Sequence, residues 1–355
     1  MKATPRHNSD GIALIMVMCA IVVLSILAAA FAYSIKVETR LAQNADSEEQ
    51  LLWLGTSGVQ RACWILSQHP PGEPYDSLNQ KWAGGSGSLA ESNSVLSSVS
   101  LDNYPVGDGT VSIKIIDLER KVNINTAIYP ANSQMILQAL TLMGVDASDI
   151  SVVSDSILDW IDSDDLPRVT GAESDYYQGL PLPYYAKNAP IDDLSELLLV
   201  KGVTPEMYWG SNATNHTPSV FQHKLGLGTA PGQAPDYPFG LVEIFTPFSS
   251  GKINVNTADA NVLQMIPGVD AAMADAIVKQ RAGPDGMDGT EDDTPFRDPG
   301  QLSGFGIQNT SGCDTRSSTF EVHVTAQLGD YKREYVAILA RTSGTALQVV
   351  SFYWK

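Results

Sequence analysis

From Ile12 to Ile35 the chain carries no charged side chain and few polar ones. One helix of about 20 apolar residues crosses a bilayer, and this run is long enough to do so. That fixes the first element before anything else about the fold is known. A short polar leader, Met1 to Asp10 with Lys2, Arg6 and His7, precedes it and ends at Gly11. Basic residues before the run, with no basic cluster beyond it, orient the helix N-terminus-in and C-terminus-out. A cleaved secretory signal shares this layout, and Ala30-Phe31-Ala32 offers it a cleavage site. The run is longer than a signal's usual core, and it flows into a charged helical stretch without a break. A plain membrane anchor is the third reading.

Without leader and anchor about 320 of the 355 residues remain, more than a single domain's usual length. A net charge of −18 argues against a nucleic-acid or anionic-membrane surface. Of three cysteines, Cys19 lies in the apolar run, which leaves Cys63 and Cys313 as a candidate disulfide or as two free thiols. Sequence alone does not set the pairing.

Helix formers continue from Lys36 to Leu66, with Leu41, Ala45, Leu51, Leu52, Leu54, Val59 and Ala62 at helical spacing. Gly55 and Gly58 weaken that helix locally, and Pro70-Pro71-Gly72 ends it. After a Gly/Ser-rich connector at Gly84–Ser100, Thr110 to Asp117 alternates as a strand, introduced by the turn Gly107-Asp108-Gly109. Phe320 to Gln327, Tyr335 to Arg341 and Ala346 to Trp354 are three further alternating runs. They predict an antiparallel meander completed by the strand near Val111. A long N-terminal helix on such a sheet is an α+β plan.

Nearly two hundred residues separate the strand at Val111 from the meander, and they contain a repeat. Lys121-Val-Asn-Ile-Asn-Thr-Ala127 recurs as Lys252-Ile-Asn-Val-Asn-Thr-Ala258. Each copy leads into helix formers and then a Gly-Val-Asp turn, at Gly144-Val145-Asp146 and Gly268-Val269-Asp270. Asn or Thr ahead of helix formers caps a helix by accepting an orphan backbone N–H. Leu263 to Ile277 with Arg281 resembles a helix-hairpin-helix, which holds DNA phosphate on backbone amides at a helix N-terminus. Membrane-tethered DNA receptors of competence systems carry this arrangement. Here Asp270 replaces the motif's second glycine, Asp275 follows on the helix, and Asp146 and Asp149 make the first copy equally acidic. These carboxylates repel phosphate, so both modules read as structural, with the DNA receptor as the alternative.

Together these residues resemble one family. The glycine-terminated leader abutting an apolar helix looks like that of type IV pilins and type II secretion pseudopilins. Ile157-Leu-Asp-Trp-Ile-Asp-Ser-Asp-Asp165, Gly171-Ala-Glu-Ser-Asp-Tyr-Tyr177, Pro183-Tyr-Tyr-Ala-Lys-Asn-Ala-Pro190 and Leu194 to Val200 resemble the general secretion pathway protein K family of minor pseudopilins. The resemblance spans nearly the whole chain. It implies a pilin-like fold with a large inserted helical domain. The segments are then a leader at 1–11, a transmembrane helix at 12–35, and a pilin-like helix and first strands at 36–120. Helical modules follow at 121–250 and 251–312, the second carrying an acidic loop, and the closing strands occupy 313–355.

The resemblance also implies cleavage between Gly11 and Ile12 by a prepilin peptidase, with methylation of the new terminus. It implies a single pass through the bacterial inner membrane with the C-terminal part in the periplasm. The implied partners are minor pseudopilins I and J (less directly H), the major pseudopilin shaft and the inner-membrane secretion platform. Most relatives place Glu five positions past the glycine, where it is thought to neutralise the terminal amine of the subunit ahead. Here that position is Met16. A buried charge without a partner is costly, so Met16 suits a subunit with nothing ahead of it.

Two acidic clusters suggest metal. Asp285, Asp288, Asp292 and Asp293 crowd a glycine-containing loop that resembles the calcium loop of major pseudopilins. Asp159, Asp162, Asp164 and Asp165 lie with Glu173 beside Arg168, which some of them would pair. Hard oxygen donors favour calcium over zinc. The five histidines, including His216 and His223, form no triad or metal pair, and no G-x-S-x-G, P-loop or H-E-x-x-H occurs. The sequence reads as a structural subunit and not an enzyme.

Overall fold

The computed structural model describes residues 10–68, 72–130, 132–211, 237–343 and 346–355. Its first element is a single helix, α1, Asp10–Ser67, which joins the apolar run to the charged stretch as the sequence predicts. Its most apolar part has a mean hydropathy of 2.9, and none of it is buried among the described residues. Beyond it Leu51, Leu54, Val59, Ala62, Ile65 and Leu66 turn inward and are buried. Leu41 and Leu52, also at helical spacing, stay exposed. Pro70 and Pro71 lie outside the described residues.

Nine strands follow among the described residues: β1 Tyr104–Val106 and β2 Gly109–Asp117; β3 Val122–Asn123 and β4 Phe245–Thr246; β5 Ile253–Asn254 and β6 Cys313–Asp314; β7 Thr319–Leu328, β8 Tyr331–Ser343 and β9 Ala346–Trp354. Five make one antiparallel sheet in the order β1-β2-β7-β8-β9. The three-run meander is β7-β8-β9, and β2 completes it. The turn at Gly107 closes a hairpin with β1, a strand too short to leave an alternating pattern. Val111, Ile113 and Ile115 stand opposite Ala326, Val324 and Val322, and this face packs on α1. Gly55 and Gly58 do not interrupt the helix. A Cβ at Gly58 would overlap Val324 and one at Gly55 would overlap the Tyr335 ring, so their absent side chains let helix and sheet approach.

The insertion leaves at Leu118 and returns at Thr319, where Leu118 N donates to Thr319 O at 3.0 Å. It has its own core and is built twice on one scheme. In the first module β3 pairs parallel with β4, and in the second β5 pairs parallel with β6. Helices α2, Met135–Met143, and α3, Ala147–Ile161, belong to the first module. α4, Ala271–Arg281, belongs to the second. Gly144 ends α2 in the left-handed region at φ +78°, a conformation that glycine adopts without Cβ strain.

Candidate functional site

The two N-x-N-T-A boxes perform the same task in both modules. In the first, Asn125 N donates to Asn123 Oδ1 at 3.0 Å and Thr126 Oγ1 to Asn123 O at 2.7 Å. The Asn125 amide then grips a distant backbone from both sides. It donates to Ile191 O at 3.0 Å and accepts from Ile191 N at 2.7 Å. In the second box Asn256 N donates to Asn254 Oδ1 at 2.9 Å. Asn256 in turn donates to Phe296 O at 2.9 Å and accepts from Phe296 N at 2.8 Å. A carboxamide imitates a backbone peptide here, because it offers one donor and one acceptor side by side. Capping, expected from the sequence, is half of the role. The bidentate grip is the other half, and its partners lie too far away in sequence to be read there.

The second box also joins the insertion to the pilin-like sheet. Asn254 Nδ2 donates to Asp76 O at 3.0 Å, Asp117 Oδ2 at 3.1 Å and Ser317 Oγ at 2.7 Å. Thr257 and Ser317 hydroxyls donate to the same Asp117 oxygen. Glu119 accepts from Ser250 N at 3.0 Å and Thr319 N at 2.9 Å, while Arg341 pairs with Asp76 at 2.8 Å. Asp76, Asp117 and Glu119 are fully buried or nearly so. Burial, then the nearby Glu119 carboxylate, pushes Asp117 upward to about 7. Sequence reasoning missed this junction, since its members come from five separated segments.

The hairpin turn is capped from within the chain. Gly268 adopts φ +86°, but Asp270 Oδ1 accepts from Met273 N at 2.8 Å at the start of α4. That carboxylate occupies an amide that a phosphate would need. Arg281 is buried, its Nη1 donating to Val255 O at 2.9 Å and Ala258 O at 2.6 Å, so its charge turns toward the box and away from solvent.

Arg281 also reaches the acidic loop. It takes both Asp288 oxygens, Nε to Oδ1 at 3.0 Å and Nη2 to Oδ2 at 2.7 Å. Asp285 caps Met287 N at 2.8 Å, Asp292 accepts from Asp285 N at 3.1 Å, and Asp293 accepts from Gly289 N at 2.9 Å. The four carboxylates expected to surround calcium accept hydrogen bonds from the loop backbone or from Arg281, and the Thr290 hydroxyl lies 2.8 Å from Asp292 and 3.1 Å from Asp293. Ser86 N donates to Gly289 O at 3.1 Å, which ties the loop to the segment that follows α1.

The other cluster does converge. Carboxylate oxygens of Asp162, Asp164 and Glu173 lie within 4.8 Å of one another. Asp159, expected with them, is fully buried and pairs instead with Arg168 at 2.6 Å; Arg168 also reaches Asp162. Asp165 accepts from Ser174 N at 3.2 Å. Glu173 is 2% exposed, yet neither of its oxygens has a hydrogen-bond partner, and Asp162 Oδ1 lacks one too. Burial, then the carboxylates of Asp159, Asp162, Asp165 and Asp164, pushes Glu173 up to about 7. Unpartnered buried oxygens are expensive, and a hard divalent cation is the ligand this donor set fits.

Cys63 packs against the pilin-like core and Cys313 is buried in the insertion core, both as free thiols. The candidate disulfide is therefore not formed, because each cysteine belongs to a different core. Met16 lies on the exposed apolar part of α1, 62% accessible. Gly11 and Ile12 fall in the first turn of α1. The leader residues Lys2, Arg6 and His7, and also His216 and His223, lie outside the described residues.

A helix long and apolar enough to cross a membrane, running unbroken into a five-stranded antiparallel sheet with a duplicated helical insertion between neighbouring strands, defines a pilin-like fold with a candidate membrane span. Residues 116–210 match the family model for type II secretion system protein K, and residues 249–285 match a helix-hairpin-helix motif. Type II secretion system protein K of Pseudomonas aeruginosa is 24% identical over 359 residues, covering 98% of this chain and 93% of that protein. The Klebsiella pneumoniae protein of the same name is 25% identical, covering 57% of this chain, and the match spans 61% of that relative's length. A solved GspK–GspI–GspJ complex from the type 2 secretion system of enterotoxigenic Escherichia coli shares the fold. Its TM-score is 0.60 at 18% identity, over 88% of this chain and 99% of that one. The chain is thus similar to type II secretion system protein K over almost its whole length and shares its fold.

Proposed function

We propose that this chain is a minor pseudopilin standing first in the type II secretion pseudopilus, where it initiates or caps assembly. It acts as a structural subunit and not a catalyst. Its partners would be minor pseudopilins I and J, with H, above a shaft of major pseudopilin on the inner-membrane platform. The helical insertion would stand in the periplasm. The observation that carries the tip position is Met16, because a shaft subunit needs a carboxylate there and a leading subunit does not. A prepilin peptidase would cut after Gly11 and leave an N-methylated Ile12.

Mass spectrometry of the mature N-terminus tests the reading directly. Ile12 supports it, and Tyr33, the product of a signal-peptide cut, would overturn it. Calcium is the ion we propose for Asp162, Asp164 and Glu173. There it would neutralise the orphaned Glu173 oxygens and hold the loop from Asp162 to Glu173 onto the end of α3.

A further inference from the structure

The two edges of the main sheet are unlike. β1 is three residues long and contains Pro105, which has no N–H to offer. Tyr104 on it is covered by the Arg61 guanidinium, 3.5 Å from the ring centre. Short strands and proline are the usual ways of closing an edge to other chains. β9 has neither. It runs nine residues without proline, and no described strand pairs with its far side. Its exposed apolar side chains are Val349 (37%), Val350 (56%), Phe352 (36%), Tyr353 (50%) and Trp354 (66%).

The register says what such an edge takes. Val349, Phe352 and Trp354 stand opposite Leu339, Ala337 and Tyr335, three residues of the core beneath α1. Gln348, Ser351 and Tyr353 stand opposite Ala340, Ile338 and Val336, on the other face. β9 thus continues this apolar face to the open edge of the sheet. Phe352 stacks on Tyr335 at 5.4 Å and Arg333 lies over Trp354 at 4.9 Å. A bulge sets Val350 outside the ladder between Ser351 and Val349. The matching occupant is an extended strand, apolar on the α1 side and polar on the other.

Height and charge narrow it further. α1 is continuous, and Gly55 abuts Tyr335, the partner of Trp354. At 1.5 Å per residue this level lies about 30 Å beyond Ile35. A subunit anchored by the same kind of helix and carrying the same kind of sheet presents a strand at that height, and shared anchoring raises its effective concentration. A net charge of −18 makes a second copy of this chain a poor neighbour.

We propose that the free edge of β9 is where a strand of a different membrane-anchored pilin-like subunit adds to this sheet. The inference rests on the pseudopilin reading. It is tested with the full-length chain co-expressed in membranes with minor pseudopilins I and J of the same system. A photo-crosslinking residue at Val350 should capture I or J. Val350→Lys should cut the co-purified partner at least about tenfold, while Val350→Thr keeps it and neither change moves the melting temperature. Wild-type recovery with Val350→Lys, or crosslinks only to this chain itself, overturns the inference and leaves the pseudopilin reading intact. Failure of the wild type to retain either partner removes that reading, and this inference with it.

Discussion

Replacing Asn256 with alanine should loosen the second module at one rung. The side chain is 2% exposed and its partner Phe296 is 5% exposed, so no water stands ready to replace the amide. Truncation strands the Phe296 N–H and C=O together. A buried polar group left unpaired costs about 1–3 kcal/mol, so the pair costs about 2–6, and relaxation of the loop brings the expected loss to about 3 kcal/mol. Asn256→Asp is the sharper test. It keeps the shape and the acceptor for Phe296 N but points an oxygen at Phe296 O, so it should be at least as damaging. Asn125→Ala strands the same two groups of Ile191, yet Asn125 is only half-buried, so a smaller loss of about 1–2 kcal/mol follows. Because the chain has two cores, global unfolding is a blunt measure. Hydrogen exchange at the Phe296 amide in the full-length protein is the direct assay. If Asn256→Ala cost under about 0.5 kcal/mol and left that amide protected, the peptide-mimic account of the repeat would be refuted.

Gly58→Ala should destabilise despite alanine's helix preference of about 1 kcal/mol, since overpacking against Val324 costs about 1–3; thermal melting decides the sign. Asp117 is raised above its unfolded value, so its contribution is complete below about pH 4. It is lost as pH rises through about 7. Stability should therefore fall across that window in the wild type, and Asp117→Asn should flatten the slope. Calcium at a hundredfold excess over its dissociation constant should add about 2.7 kcal/mol. A chelator should reverse the gain and Glu173→Gln should abolish it; a melting temperature indifferent to both would exclude a metal there.

Much of this fold was legible because burial on one face writes itself into alternating residues. The strands at Val111 and Phe320 follow from that pattern, and α1 from an unbroken helical spacing. The repeat was legible because two modules solve one hydrogen-bonding problem with the same two asparagines and threonine. Asp117, Asp76 and Arg341 were not, because a buried polar cluster leaves no period and its parts meet only after folding. At Asp288 the sequence shows the carboxylate but not its partner, the Arg281 guanidinium of the preceding helix. Glu173 was found as a candidate, but only burial distinguishes its orphaned oxygens from the capped ones nearby.

The insertion leaves and re-enters the sheet on adjacent strands, one rung apart. Pulled outward at its far end, it would open β2 from β7 as a zipper opens, each hydrogen bond loaded alone. The buried contacts of Asn254, Asp117 and Ser317 sit where a tear would begin.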